Sequence, residues 1–204
     1  MATNSGLDGL KSALTTILQL GDADDQINAM RLLGGFTRLD TKTLTIVSAL
    51  SSSSNPGIAL TALGNLLKTG KPDSVAKFRR YIDAFNGNQP PIGLIVAAGE
   101  LGLVTDARAL PDLESLSGSR FLSIRIAAMD AIRHIASPKS APVLVQRLDD
   151  PSRVVQYSAL ITLAEIFGKG GDYGPSAELF DKNPQQYIRR WKDWWVAESP
   201  KVKN

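Results

Sequence analysis

The side chains able to do chemistry are few and scattered. His134 is the sole histidine, and there is no cysteine. Zinc binding or acid–base catalysis would need further nitrogen, sulfur or carboxylate groups converging on that imidazole, and no spacing in the chain supplies them. His134 is therefore expected to be a partly exposed helix residue. Asp22, Asp24 and Asp25 form the densest acidic group. A calcium loop would add a central glycine and a closing glutamate, which are missing, so these acids read as helix-capping residues. Asp149 and Asp150, at a turn, read the same way. No two carboxylates are defensible as a general acid and base. The expectation is no catalytic residue, no cofactor and no metal.

One aromatic stripe stands out. Tyr187, Trp191, Trp194 and Trp195 are spaced i, i+4, i+7 and i+8 and lie on one face of a final helix, and all three tryptophans of the chain are there. Such a face could stack a peptide, a sugar or a base. It could equally close the open end of a helical array, showing Arg189, Arg190, Lys192 and Asp193 to water, which is the more economical reading. Trp194 and Trp195 are adjacent and cannot both point straight inward, so one of them is expected to be partly exposed.

The elements that position these residues are read from a repeat. Asp106 recurs as Ser137, Pro111 as Pro142, Leu113 as Leu144, Ile124 as Val155, Ala128 as Ala159, Ile132 as Leu163 and Ile135 as Ile166, all 31 residues apart. Seven matches at one offset define a helical repeat over residues 106–168: a short helix, a polar corner, then a longer helix. Arg125 and Arg133 fall on the long helix of the first copy, and Gln156 and Glu165 on that of the second. Residues 7–104 read as looser hairpins. Their punctuation is Gly21-Asp22, a cap at Asp24 or Asp25, a cap at Asp40 or Thr41, the Asn55-Pro56 pair, Pro72-Asp73 and the glycine-rich Ile92–Val104 stretch. Asp150-Pro151 reads as another cap followed by proline. Residues 169–198 form the terminal cap. The whole, residues 1–204, is expected to be one domain of about five hairpins.

The short-then-long helix pairs, the proline early in the first helix and the stretch DPSRVVQYSALITL (150–163) resemble bacterial HEAT-like repeats, the type also found in phycobilisome lyases. The resemblance is good over 106–168 and looser over 7–104. It implies an all-α fold, a right-handed α-solenoid of HEAT or armadillo-like superhelical form, in which the second helices line a concave side. It makes Arg125, Arg133, Gln156 and Glu165 candidate groove residues. It implies a binding scaffold, because the repeat itself carries no catalytic residue. Chromophore work of the lyase kind has no support from a motif here. The deoxyhypusine hydroxylase type is disfavoured, because its metal site needs repeated His-Glu pairs.

Composition bounds the partners. Net charge is +3, from 23 basic and 20 acidic residues. Basic and acidic residues number nine and eight in 1–104, and fourteen and twelve in 105–204, so neither half is a basic block. That disfavours nucleic acid, the alternative suggested by DNA-glycosylase members of the HEAT-like class. No apolar run reaches the roughly 20 residues of a membrane span. The short polar start MATNSG leaves the compartment open between the cytoplasm and a secreted or periplasmic location with a leader removed. The leading expectation is a non-enzymatic, monomeric scaffold binding a protein or peptide.

Overall fold

A computed structural model describes residues 3–36, 38–87, 89–91 and 93–202. Among them the regular structure is entirely helical, and the chain divides into two compact units, Met1–Val104 and Thr105–Asn204. The boundary falls where the sequence changes from loose to clear repeats.

The first unit holds α1 (Thr3–Leu20), α2 (Ala23–Leu33), α3 (Thr41–Leu50), α4 (Pro56–Leu67), α5 (Pro72–Ala84) and α6 (Leu94–Leu101). α1 pairs with α2 and α3 with α4, whereas α5 packs chiefly on α4 and not on α6. The second helices α2, α4 and α6 lie side by side. Its sequence, PGIALTALGNLL, explains the central place of α4. Nine of its twelve residues are buried, as expected of a helix that is apolar nearly all round. Gly64 faces α6, where a Cβ would make an ordinary contact of 3.7 Å with the Cα of Ala97.

Side chains set the helix starts. Asp22 accepts from the Asp25 amide at 2.9 Å, so Asp22 caps α2, while Asp24 and Asp25 sit in its positive first turn. The sequence had pointed to Asp24 or Asp25 as the cap. Asp40 caps α3, accepting from both the amide and the hydroxyl of Thr43 at 2.9 Å. Asn55 caps α4 and Pro56 takes its first position, where no N–H is required. The glycine-rich stretch yields only the short α6. Gly93 precedes it with φ +92°, a left-handed conformation that favours glycine, and Gly102 follows it. Ile92 lies outside the described residues.

The second unit holds α7 (Leu110–Leu116), α8 (Leu122–Ile135), α9 (Ala141–Arg147), α10 (Arg153–Ile166), α11 (Ala177–Lys182) and α12 (Pro184–Val202). The 31-residue register is kept to the residue: α7 and α9 begin and end in step, as do α8 and α10. Asp106 and Ser137 both cap a short 3-10 turn before the first helix, and Pro111 and Pro142 both sit in its first turn. Ile124, Ala128 and Ile132, with their counterparts Val155, Ala159 and Leu163, are fully buried. Ser152, not Asp150, holds the N-cap position of α10, without a side-chain cap bond, and Pro151 stays outside the helix.

The last pair closes the unit with rings. Trp191 is wholly buried on α12, and its indole N–H donates to the Tyr173 carbonyl at 2.8 Å. Tyr173 and Trp194 stand edge-on to it, with centroids 5.0 and 5.2 Å away. Trp191→Ala should cost about 3–5 kcal/mol in urea unfolding. A cost below 1 kcal/mol, on the order of a surface change, would show that the ring is not part of the core. A second prediction concerns Asp40. Hydrogen bonds from the Thr43 amide and hydroxyl hold its carboxyl below the usual value. A lowered folded-state pKa gives stability that is present above the unfolded pKa of about 3.9 and lost as pH falls through the folded value. Asp40→Ala should therefore cost about 1 kcal/mol at neutral pH, and the gap to wild type should narrow in acid. A gap independent of pH would refute the charged-cap account.

Candidate interaction surfaces

Of the four groove candidates, Arg133 and Glu165 pair with each other, while Arg125 and Gln156 both bind Asp150 at the other end of α8 and α10. At the start of the helices, Arg125 reaches across to Asp150. Its Nη2 donates to Oδ1 at 3.0 Å and its Nε lies 2.8 Å from Oδ2. The pair is enclosed, with side-chain exposures of 12% and 2%. Asp150 also accepts from the Ser152 amide at 2.8 Å, which shapes the entry to α10. Arg125 donates to the Ser119 carbonyl, and Gln156 to the Asp150 carbonyl at 2.7 Å. Residues 119 and 150, and 125 and 156, are equivalent in the repeat. The same corner is thus closed twice, by a side chain six residues on that binds the carbonyl opening the turn.

This arrangement commits Arg125 and Gln156 to the architecture. Spacing alone showed a polar residue on the second helix but not its direction. The signal was nevertheless in the sequence: an acid at 150, 25 residues after an arginine, each at a repeat position beside the corner.

At the other end, Arg133 on α8 donates through Nε to Glu165 Oε2 at 2.7 Å, and Nη2 meets the other carboxylate oxygen. Both side chains remain nearly half exposed. The hydrogen bond from the guanidinium to Glu165, more than the opposite charge, holds Arg133 still more firmly protonated than usual. This pair lies at the surface of α8 and α10. His134 beside it is exposed, and among the described residues no group of three or more acidic, histidine or cysteine side chains could hold a metal ion.

Trp194 and Trp195 are both partly exposed, while Trp191 takes the inward position. Trp194 packs on Phe167 with centroids 4.8 Å apart, and the Lys169 ammonium lies 5.2 Å from its ring centre. An open hollow of about 440 Å3 runs beside it, lined by Tyr173, Gln186, Arg189 and Arg190 among others. Arg190 donates to the Asp172 carbonyl at 2.6 Å, and Lys192 holds both carboxylate oxygens of Asp149. Asp149, read as a cap, is thus an anchor for α12.

Antiparallel helix pairs stacked in a constant register, with polar corners tied from one pair to the next, define an α-solenoid. Residues 82–164 match the HEAT repeats family. The complex of CpcE and CpcF of phycocyanin lyase from Nostoc sp. is similar in structure, with a TM-score of 0.62 and 19% identity over 84% of this chain and 69% of that one. An engineered protein is similar at a TM-score of 0.54 and 16% identity, over 91% and 97% of the two chains. At these identities the likeness is one of fold. No curated protein sequence matches the chain. Residues 82–164 are HEAT repeats, and the fold of the described residues is the all-α solenoid that such repeats build.

The enclosed and exposed pairs should respond differently to substitution. Removing one partner of the enclosed pair, as in Asp150→Ala, strands a charge and should cost about 3–5 kcal/mol. Glu165→Ala should cost at most about 1 kcal/mol. Chemical unfolding of the two variants checks this, and equal costs would mean that Arg125 and Asp150 are solvated in solution.

Proposed function

We propose that the protein is a non-enzymatic scaffold that binds a protein or peptide on the side carried by its second helices. The observation carrying this reading is the exposed Arg133–Glu165 pair on α8 and α10, two charged groups held in fixed geometry on a rigid helical layer. The enclosed pair at the corner has a structural task already, so it is the outward pair that is available for recognition. The similar lyase structure is itself a complex of two proteins, which favours a protein partner. Among the described residues no helix is long and apolar enough to cross a membrane, so a membrane span gives no competing account of them.

Partner capture on the immobilised full chain tests the assignment. Arg133→Glu should lose the captured partner, because it sets two like charges side by side on the binding face. The swapped variant, Arg133→Glu with Glu165→Arg, keeps the intramolecular pair but inverts the pattern offered to a partner, and it should lose capture as well. Full capture by both variants would remove this face from the binding surface. Binding to duplex DNA that weakens steeply with salt would instead favour a nucleic-acid role.

A further inference from the structure

The first unit carries a different surface on its own second helices. Two hollows, of about 420 and 150 Å3, meet at Gly34, Asn65 and Lys68. Asn65, on α4, is only 7% exposed. Its amide nitrogen donates to the Met30 carbonyl at 3.1 Å and the Thr61 carbonyl at 3.0 Å. Two carbonyls on that side fix the nitrogen there, so the amide cannot be turned round. Its Oδ1 is left without a donor. Buried acceptors in folded proteins are paired, so this oxygen calls for an N–H or O–H from outside the chain.

The surroundings say what kind of molecule brings that donor. A Cβ added to Gly34 would sit 3.3 Å from both Asn65 Oδ1 and Lys68 Nζ, so the missing side chain leaves a cradle over the two. Four cations line the hollows, Arg31, Arg38, Lys68 and Lys71, against one acid, Glu100. Lys68 is engaged, donating to the Gly34 carbonyl at 2.6 Å and lying 3.4 Å from Glu100. Among the described residues Arg31, Arg38 and Lys71 have no acidic partner, and all three are exposed. The larger hollow also has half-buried apolar walls in Phe36, Leu39 and Leu44. The unit as a whole is balanced in charge, so this excess of cations is local.

We infer that this groove binds an extended acidic peptide segment. A backbone N–H of the peptide donates to Asn65 Oδ1, its carboxylates meet Arg31, Arg38 and Lys71, and an apolar side chain fills the hollow beside Phe36. The inference rests on the scaffold reading above and gives it a partner chemistry and a second location.

The test uses the full chain and an array of short peptides, each made once with Glu and once with Gln at the same positions. Acidic members should bind about tenfold tighter than their Gln twins, the sum expected of two or three exposed ion pairs. The double variant Arg31→Glu, Arg38→Glu should abolish that preference. Gly34→Ala should weaken both members of each pair, because its methyl covers Oδ1; Gly34 has ordinary helical dihedrals, so alanine fits the backbone. Thermal melts confirm that each variant is folded. Unchanged peptide binding by Gly34→Ala would mean that water satisfies Oδ1, and the site would be overturned. So would a preference for acidic peptides that survives the double charge reversal, or single-stranded RNA binding more tightly than any peptide and lost in the same variants. Peptide binding lost only with Arg133→Glu would overturn this groove and leave the scaffold standing. No peptide or partner bound by any form of the protein would sink both.

Discussion

A pair of amphipathic helices packed on each other still has apolar surface front and back. It becomes stable only when a like pair lies against it, and the rest of this structure follows from that need. It accounts for the exact 31-residue register of the second unit, because stacked pairs can bury Ile124, Ala128 and Ile132 against Val155, Ala159 and Leu163 only if the helices begin and end in step. It also accounts for the small residues at closest approach, and for a last pair unlike the others. There Trp191, buried with Ile188 on α12, is a large ring whose single polar atom is satisfied by the Tyr173 carbonyl. In the first unit α1 keeps Leu7 and Leu10 about half exposed.

Stacking alone would allow sliding, since apolar contacts are not directional. The corner network supplies direction. Arg125 can satisfy Asp150 only when α8 and the entry to α10 are in one register, and Gln156 repeats the carbonyl contact one pair later. A buried ion pair of this kind contributes little net stability over a well-packed apolar pair, because both charges give up water. Its value lies in the cost of every other register, each of which would strand a charge.

Most of the architecture was legible because periodicity reports burial. The matched positions Ile124/Val155, Ala128/Ala159 and Ile132/Leu163 are core, and Asn55-Pro56 and Asp40 start helices as their chemistry requires. What failed was local choice among neighbours. Asp22 rather than Asp24 or Asp25 caps α2, because any of these carboxylates is chemically competent and only the path of the entering chain decides, while α10 starts at Ser152 with no side-chain cap bond and Asp150 accepts from the Ser152 amide instead. Directions of long side chains were not legible at all. Arg125 and Arg133 differ by eight residues on one helix and look alike in sequence, yet one is enclosed and the other open. Asn65 gave no signal, since one asparagine in an apolar helix is unremarkable until both carbonyls beside it are located.

The two units therefore differ in how their polar groups are used, and this bears on where recognition resides. In the second unit the polar residues near the corner bind one another: Arg125 with Asp150, Gln156 with a carbonyl, Lys192 with Asp149. Such groups are poor candidates for a partner, because binding would have to break contacts that hold the pairs in register. In the first unit the repeat is looser, and its polar side chains mostly bind carbonyls and hydroxyls of neighbouring helices. A buried acceptor is left over in each unit, Asn65 Oδ1 on α4 and Gln156 Oε1 on α10, but around Asn65 cations are left over as well. Regularity and recognition compete for the same positions in a stacked array. The regular unit leaves its outward Arg133–Glu165 pair at the surface of its second helices, while the irregular unit leaves an acceptor and three cations without acidic partners on and beside its own.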